Sequence, residues 1–500
     1  MIIGKCIATT SLLASFSLST VAWADVGSQE VWESWQTYLD GFGYEISGSE
    51  QSVGNNLNVN DLSLSMKIPD NEGSIKVNLG DIQFVDKGDG TVEVVMPNQI
   101  PVLIKTSSDG KDADIIVTIS HKGLSMIVSG ASEDMTYAYN ATEFGVELTS
   151  AVVNGEAIPN TVANIVMSGI MGRSEMAFGE TITTRQKASV SSLSYIVQAT
   201  DPDSGGSIDL EGFMNGMEAE IDGVMPLGDY SADPMAFFNA GFAIAGGYAV
   251  DGTSFDVTFV ENGAPSKMTA KTGAAEMGVD MSGSIIAYGG DVLDVSVSLS
   301  GPEIPLPVDV SFGELGYGFE MPLKASDAQQ DFGFGIVLGD LSVSEMIWSM
   351  IDPGQVLAHD PATLALDVSG KATIFKDIMT MDENSDEIPG ELNALTLNDV
   401  QLIVAGAGLT GTGDFVFDNT DMQSFDGFPR PEGTLNINIV GINALMDNLV
   451  TMGLLPEDQV MGARMMLSMF AVPGAGEDEL NSTIEVNRQG HVLANGQRLK

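Results

Sequence analysis

Apolar and polar residues alternate along most of this chain, and a period of two places every second side chain on one face of a strand. Leu57 and Val59 show the alternation early; after a slip of one position Leu62, Leu64 and Met66 continue it, and Ile75, Val77 and Leu79 repeat it. It returns in Phe255, Val257 and Phe259, in Leu293, Val295, Val297 and Leu299, and in Val308, Val310 and Phe312. Further on come Leu364, Leu366 and Val368, then Phe415 and Phe417, then Leu435, Ile437 and Ile439. Each run predicts an antiparallel strand with one apolar and one wet face. Asp86-Lys-Gly-Asp-Gly90, Asn262-Gly263 and Gly289-Gly290-Asp291 punctuate the runs and read as hairpin turns.

Helical spacing is rarer. Ser28 reads as the cap of a helix with Trp32, Trp35 and Leu39 on one face and Gly41 as its stop. Residues 161–170 repeat Val162, Ile165, Val166 and Ile170 at helical spacing, and residues 342–350, carrying Ile347 and Trp348, predict a short helix ending before Pro353. The clearest case is a pair: Ile442, Leu445, Leu449 and Met452 form one stripe, and after Gly453 and Pro456 a second contains Val460, Ala463, Leu467 and Phe470. This predicts a helical hairpin over residues 442–471. Met461, Met465 and Met469 lie beside the second stripe, as in a helix buried on two sides or in an adaptable methionine-rich binding surface; burial on two sides is the reading the spacing favours.

The expected fold is therefore mainly β with a few helices (α+β), in extended or curved antiparallel sheets arranged as β-rich lobes. The turn-rich residues 201–206 and the proline-rich residues 301–307 divide it into an N-terminal lobe, residues 25–200, a central β-rich segment, residues 201–300, and a C-terminal lobe, residues 301–500.

The first 24 residues change the picture by assigning a compartment. Lys5, the apolar stretch 7–21 and the small-x-small sequence Ala22-Trp23-Ala24 form a signal peptide, with cleavage expected near Ala24 and the mature chain in the periplasm. The many Ser and Thr residues between Thr9 and Thr20 dilute the stretch too far for a retained spanning helix, and no later transmembrane segment is expected. Cleavage removes Cys6, the single cysteine, and with it any disulfide, thiol nucleophile or cysteine metal ligand. The chain has 20 Lys and Arg against 69 Asp and Glu, a net charge of −49 that becomes about −50 once Lys5 is lost. Such a surface repels nucleic acid and anionic membranes.

No residue constellation points to catalysis. His121, His359 and His491 are isolated without ligand spacing, there is no nucleophile elbow, and Lys271-Thr272-Gly273 lacks the Ser-Asp-Asn partner of the penicillin-recognising enzymes. Neither a phosphate loop nor a dinucleotide fingerprint is present, so neither a cofactor nor a catalytic residue is expected. Asp201, Asp203, Asp209 and Glu211 offer oxygen ligands in a partial calcium-loop pattern, but Glu211 falls one position short and Gly205 replaces a ligand; an acidic β-turn is the simpler reading. The acidic run at 382–387 reads as a solvated hairpin tip.

Trp348-Ser-Met-Ile-Asp352-Pro353, His359-Asp-Pro361, Gly406-Ala-Gly-Leu-Thr-Gly-Thr-Gly413, Gly427-Phe-Pro429-Arg-Pro431 and Asn495-Gly-Gln-Arg-Leu499 resemble the bacterial family catalogued as domain of unknown function 2125, most specifically over residues 300–500. The resemblance implies no activity and transfers no catalytic residue. The ending Gly490 to Gly496 is similar to the last strand and turn of large envelope proteins with open β-folds, including the family named for outer-membrane assembly suppression, several of which are thought to guide lipids along an apolar groove. The expectation is a non-enzymatic periplasmic protein with an apolar concave face holding lipid or another hydrophobic ligand for envelope maintenance. The alternative is a structural protein with closed β cores and no small-molecule ligand, whose acidic outside serves an envelope protein partner.

Overall fold

The computed structural model describes residues 25–67, 73–108, 111–158, 160–201, 204–228, 234–381 and 388–500; the expected signal peptide lies outside these residues. The described chain is mainly β, with helices α1 (Ser28–Gly41), α2 (Pro234–Asn239), α3 (Glu345–Ile351), α4 (Ile442–Thr451) and α5 (Glu457–Phe470). Among the described residues, no helix is long and apolar enough to cross a membrane. The chain divides into two compact units: the first runs to Glu276 and takes in Leu299–Pro305, and the second comprises Met277–Ser298 and Leu306–Lys500.

In the first unit the strands form an antiparallel series. Glu45–Val53 pairs with Asn56–Lys67, which pairs with Ser74–Asp86; Gln99–Ser108, Lys111–Lys122, Asp134–Val153, Val162–Phe178, Thr181–Thr200, Ser207–Pro226, Gly252–Glu261 and Ala264–Thr272 follow. Register keeps like with like. Ile165 lies opposite Tyr195, Leu193 opposite Met214, and Val197 opposite Leu210, which in turn faces Val257. On the other face Arg185 meets Asp222 and Lys187 meets Glu220, both at 2.8 Å, while Lys122 meets Glu143 at 2.7 Å. Each pair is exposed and weak alone. Their value is in register, since a slip of one residue would carry every apolar side chain to the wet face.

The structure corrects the helix expected over residues 161–170, which is the start of the strand Val162–Phe178. The misleading spacing has a local cause. Gly169 and Gly216 are left-handed, with φ of 62° and 55°, and at their level the apolar alternation moves by one position in adjoining strands. Ile165 and Met167 give way to Ile170, and Met214 gives way to Met217, so a period of two interrupted once imitates a helical period. A side chain at Gly169 would collide with Ser191, and one at Gly216 with Asp251. The β-branched residues of the stretch also favour strand.

The hairpin turn expected at Gly289-Gly290-Asp291 is likewise corrected, because these residues lie inside the strand Ile285–Gly301. A Cβ on Gly289 would stand 3.0 Å from the Tyr317 carbonyl, so close backbone approach accounts for the glycine. Between Thr181–Thr200 and Ser207–Pro226, the Asp201 N–H donates to Gly206 O at 2.8 Å and closes the connection of the two paired strands.

A dry core forms where α1 crosses one end of the first unit's sheet. Gly27 occupies the cap position in place of Ser28, with its N–H bonded to Glu30 Oε2 at 2.8 Å, while Ser28 is buried as the first helical residue. Val31 and Trp32 are fully buried with Leu57, Val59, Leu62, Ile82, Phe84, Met135 and Ile182. The Trp32 and Trp35 rings lie 5.8 and 5.4 Å from that of Phe84, and the Trp32 indole N–H donates to Glu50 Oε1 at 2.7 Å. The indole thus buries its carbon surface while its one polar atom is satisfied.

In the second unit Ile304–Pro322, Gln330–Val343, Ala362–Ile374, Gly390–Val404, Ala407–Asp418, Arg430–Val440 and Glu479–Val486 pair in succession. Helix α3 follows the strand ending at Val343, and the α4–α5 hairpin lies between the strands ending at Val440 and beginning at Glu479. Gly441 brings no capping side chain to α4, and Asp478 supplies the cap from across the connection. Its Oδ2 accepts the Ala444 N–H at 2.9 Å and its Oδ1 the Asn443 side-chain amide at 2.7 Å. Burial pushes the Asp478 carboxyl up, but these bonds outweigh it and hold the group below the usual carboxylate range. Arg464 of α5 bonds to the Asn443 side chain at 3.0 Å and pairs with Asp447 at 2.8 Å, fixing the two helices together.

Replacing Trp32 by Ala should lower unfolding stability by about 3–5 kcal/mol, measured as a reduced urea midpoint with unchanged slope. A loss below about 1 kcal/mol would show that the α1 contact is not the core of the first unit.

Candidate functional site

The register of the second unit assembles one apolar face from residues scattered over its sequence. One row runs Tyr317, Ile336, Leu366, Val400, Gly411, Ile437 and Ser482, each opposite the next. The adjacent row runs Phe319, Phe334, Val368, Leu397, Gly413, Leu435 and Ile484. The reverse face carries Thr396 bonded to Asp414 at 3.0 Å, Lys371 paired with Asp331 at 2.6 Å, and the exposed Thr410 and Thr412.

Burial on this apolar face is partial. Ile336, Leu366, Val368, Leu397, Val400, Leu435 and Ile437 are half-buried, whereas Tyr317, Phe334, Leu364 and Leu402 remain 40, 45, 42 and 48% exposed. Gly411 and Gly413 are buried, and neighbours close over them: a Cβ would stand 3.0 Å from the Val400 side chain at the first and 3.0 Å from the Thr434 carbonyl at the second. The largest fully buried side chains of the described chain all lie in the first unit, with one exception in the second: Asp352.

Asp352 follows α3 and is 1% exposed. Its Oδ2 accepts the Leu357 N–H at 2.7 Å, and its own N–H donates to the Trp348 carbonyl at 2.7 Å, closing the connection on itself. The His359 ring stacks on Trp348 with centroids 4.2 Å apart and planes 6° from parallel. Its Nε2 is 3.6 Å from Asp352 Oδ2 and its Nδ1 is 3.4 Å from Glu345 Oε2, so the imidazole stands between two carboxylates. The Nε2 distance is too long for a hydrogen bond, and this nitrogen, Asp352 Oδ1 and Ser344 Oγ are buried without a hydrogen-bond partner. Burial raises the Asp352 carboxyl, but the Leu357 and Val356 amides and the adjacent imidazole together hold it below its ordinary range. The arrangement locks the connection between two strands of the apolar face through a charged carboxylate.

Among the other residues singled out by sequence, Asp201 closes its hairpin turn, with the Ser204 hydroxyl donating to its Oδ2 at 2.5 Å. Asp209 and Glu211 lie on the strand Ser207–Pro226 opposite Gln198 and Ile196, and Asp203 is outside the described residues. No group of three or more His, Cys, Asp or Glu among the described residues is placed to hold a metal ion. Beside this turn, Val162, Ala199, Thr200 and Ile208 help to line a concavity of about 360 Å³. His121 is buried, its Nε2 at 2.9 Å from the Pro97 carbonyl, and His491 lies in the turn before the last strands. The acidic run at 382–387 is outside the described residues. Arg430 pairs with Asp418 at 2.5 Å and Asp421 at 3.1 Å and donates to the Arg488 carbonyl at 2.7 Å, tying the loop before its strand to the C-terminal turn.

Asp352→Asn should reduce thermal stability at pH 7. A carboxyl depressed by folding stabilises above its unfolded pKa, and that contribution is lost as pH falls through the folded value. The gap in melting temperature between wild type and variant should therefore narrow below about pH 4. A gap constant from pH 7 to pH 3 would contradict the assigned electrostatics.

Residues 324–499 match the profile of a family described as an uncharacterized protein conserved in bacteria (DUF2125). The matched segment spans most of the apolar face, the Asp352 connection and the helical hairpin. No curated protein and no solved structure matches the chain.

Proposed function

We propose that the protein is a non-enzymatic periplasmic binding protein that holds lipid acyl chains, or another hydrophobic ligand, on the apolar face of its second unit for maintenance of the cell envelope. The observation that carries this reading is the apolar face, with Tyr317, Phe334, Leu364 and Leu402 open to solvent. Water against that surface is unfavourable, and each methylene of an acyl chain laid along it contributes about 0.8 kcal/mol of burial. The acidic residues of the chain are excluded from the rows that would touch the ligand. An apolar sheet face offers an acyl chain contact along its length and asks for no directional bond. The N-terminal sequence supports export, and the net charge of −49 keeps a protein with exposed apolar rows soluble.

Native mass spectrometry of the purified protein should show copurified lipid, and a fluorescent fatty acid should bind. Leu364→Asp and Leu402→Asp, each placing a charge on the apolar face, should weaken the fatty acid at least about tenfold, the scale of a 1.4 kcal/mol loss. Thr412→Asp on the reverse face should leave binding unchanged. Absence of both lipid and probe binding, or equal loss in all three variants, would overturn the reading.

A further inference from the structure

The hairpin α4–α5 carries a surface that the ligand-binding reading does not use. Helix α5 turns Val460, Arg464 and Leu467 inward, with Ala471 buried just past its end, so the burial on two sides expected from its width is corrected to burial on one. Met461, Met465, Met466 and Met469 are 68, 65, 63 and 58% exposed, and Phe470 adjoins them at the helix end. These residues recur at helical spacing on the outer side and form one contiguous exposed apolar surface, in contrast to the scattered single apolar side chains that need no explanation. The helix is held in place by Arg464 and, through α4, by the Asp478 cap, so the patch is presented on a fixed element.

The charges around it select the occupant. Glu457 and Asp458 in the first turn of α5 are exposed four and three residues before Met461 and so border the patch, and the single base of the hairpin, Arg464, is committed to Asn443 and Asp447. A second copy would bring the same acidic rim against itself, and like charges opposed across an interface disfavour that pairing. Helices that lie on membranes present lysine or arginine beside their apolar face, which α5 does not do. We infer that the outer face of α5 docks a polypeptide partner with an apolar groove or stripe rimmed by lysine or arginine. The methionines supply adaptable apolar contact, and the acidic rim supplies orientation and encounter rate.

The probe is a synthetic amphipathic helical peptide of leucine and lysine, with a leucine–glutamate peptide of the same pattern as comparison, titrated into the full chain by fluorescence anisotropy. The lysine peptide should bind and the glutamate peptide should not. The double variant Met465→Gln/Met469→Gln, which keeps the charge, should weaken binding at least about tenfold, while Glu457→Gln/Asp458→Asn should weaken it and flatten its salt dependence. Both variants alter exposed positions and should melt as wild type does. Lysine-peptide binding that survives the methionine variant would reduce the effect to attraction by the overall charge and overturn the inference. Two other results would also overturn it: a wild-type dimer abolished by the methionine variant, identifying a second copy, and flotation with phosphatidylcholine vesicles abolished by it, identifying a membrane.

Discussion

Antiparallel register is the constraint on which the rest of this structure depends. Every strand has two faces, and a shift of one residue exchanges them. The opposed pairs Arg185–Asp222 and Lys187–Glu220 in the first unit, and Lys371–Asp331 in the second, sit on the wet side and mark the pairing that keeps apolar residues together on the other. None of these exposed pairs stabilises much alone, but a slipped strand would expose a whole row of leucines and valines while burying charge, and that penalty falls on the alternative registers. Long runs of one-sided apolar surface follow from local pairing repeated strand after strand.

The two units treat that surface differently. In the first, α1 covers one end of the face, and Trp32 with Phe84 makes a dry core there. In the second, α4 and α5 bury individual side chains such as Met446 and Val460, and most of the apolar rows stay half-buried. The deepest side chain of that unit, Asp352, locks a connection, and it is stable as a charge because amides and an imidazole converge on it. That sheet thus leaves its apolar rows half-covered while its most buried position holds a loop.

Much of the fold was legible because alternation and stripes are local signals. Leu364, Leu366 and Val368 identify the strand Ala362–Ile374, and the stripes of Trp32 and of Leu445 identify α1 and α4. Residues 161–170 imitate a helix because left-handed Gly169 interrupts the alternation, and a conformation at one glycine is invisible in composition. The apolar face was legible only strand by strand; that Leu366 stands beside Val400, and Val400 beside Gly411, is a property of pairing. The Asp352–His359 contact escaped because it depends on a local turn that includes Gln355 at positive φ, while the motif residues Trp348, Asp352 and His359 were themselves conspicuous. The width of the α5 stripe was visible, but which of its sides is covered is decided by where the hairpin rests.

The central claim is that the apolar rows of the second unit are the surface a hydrophobic ligand occupies. Photocrosslinking with a diazirine-bearing fatty acid, followed by peptide mapping, tests it most directly. Labels should concentrate on the strands Gln330–Val343, Ala362–Ile374 and Gly390–Val404 at positions of the apolar rows, such as Phe334, Leu366 and Leu397. Labelling confined to Met461, Met465 and Met469, or spread evenly over Thr396, Thr410 and Thr412 on the reverse face, would contradict the account.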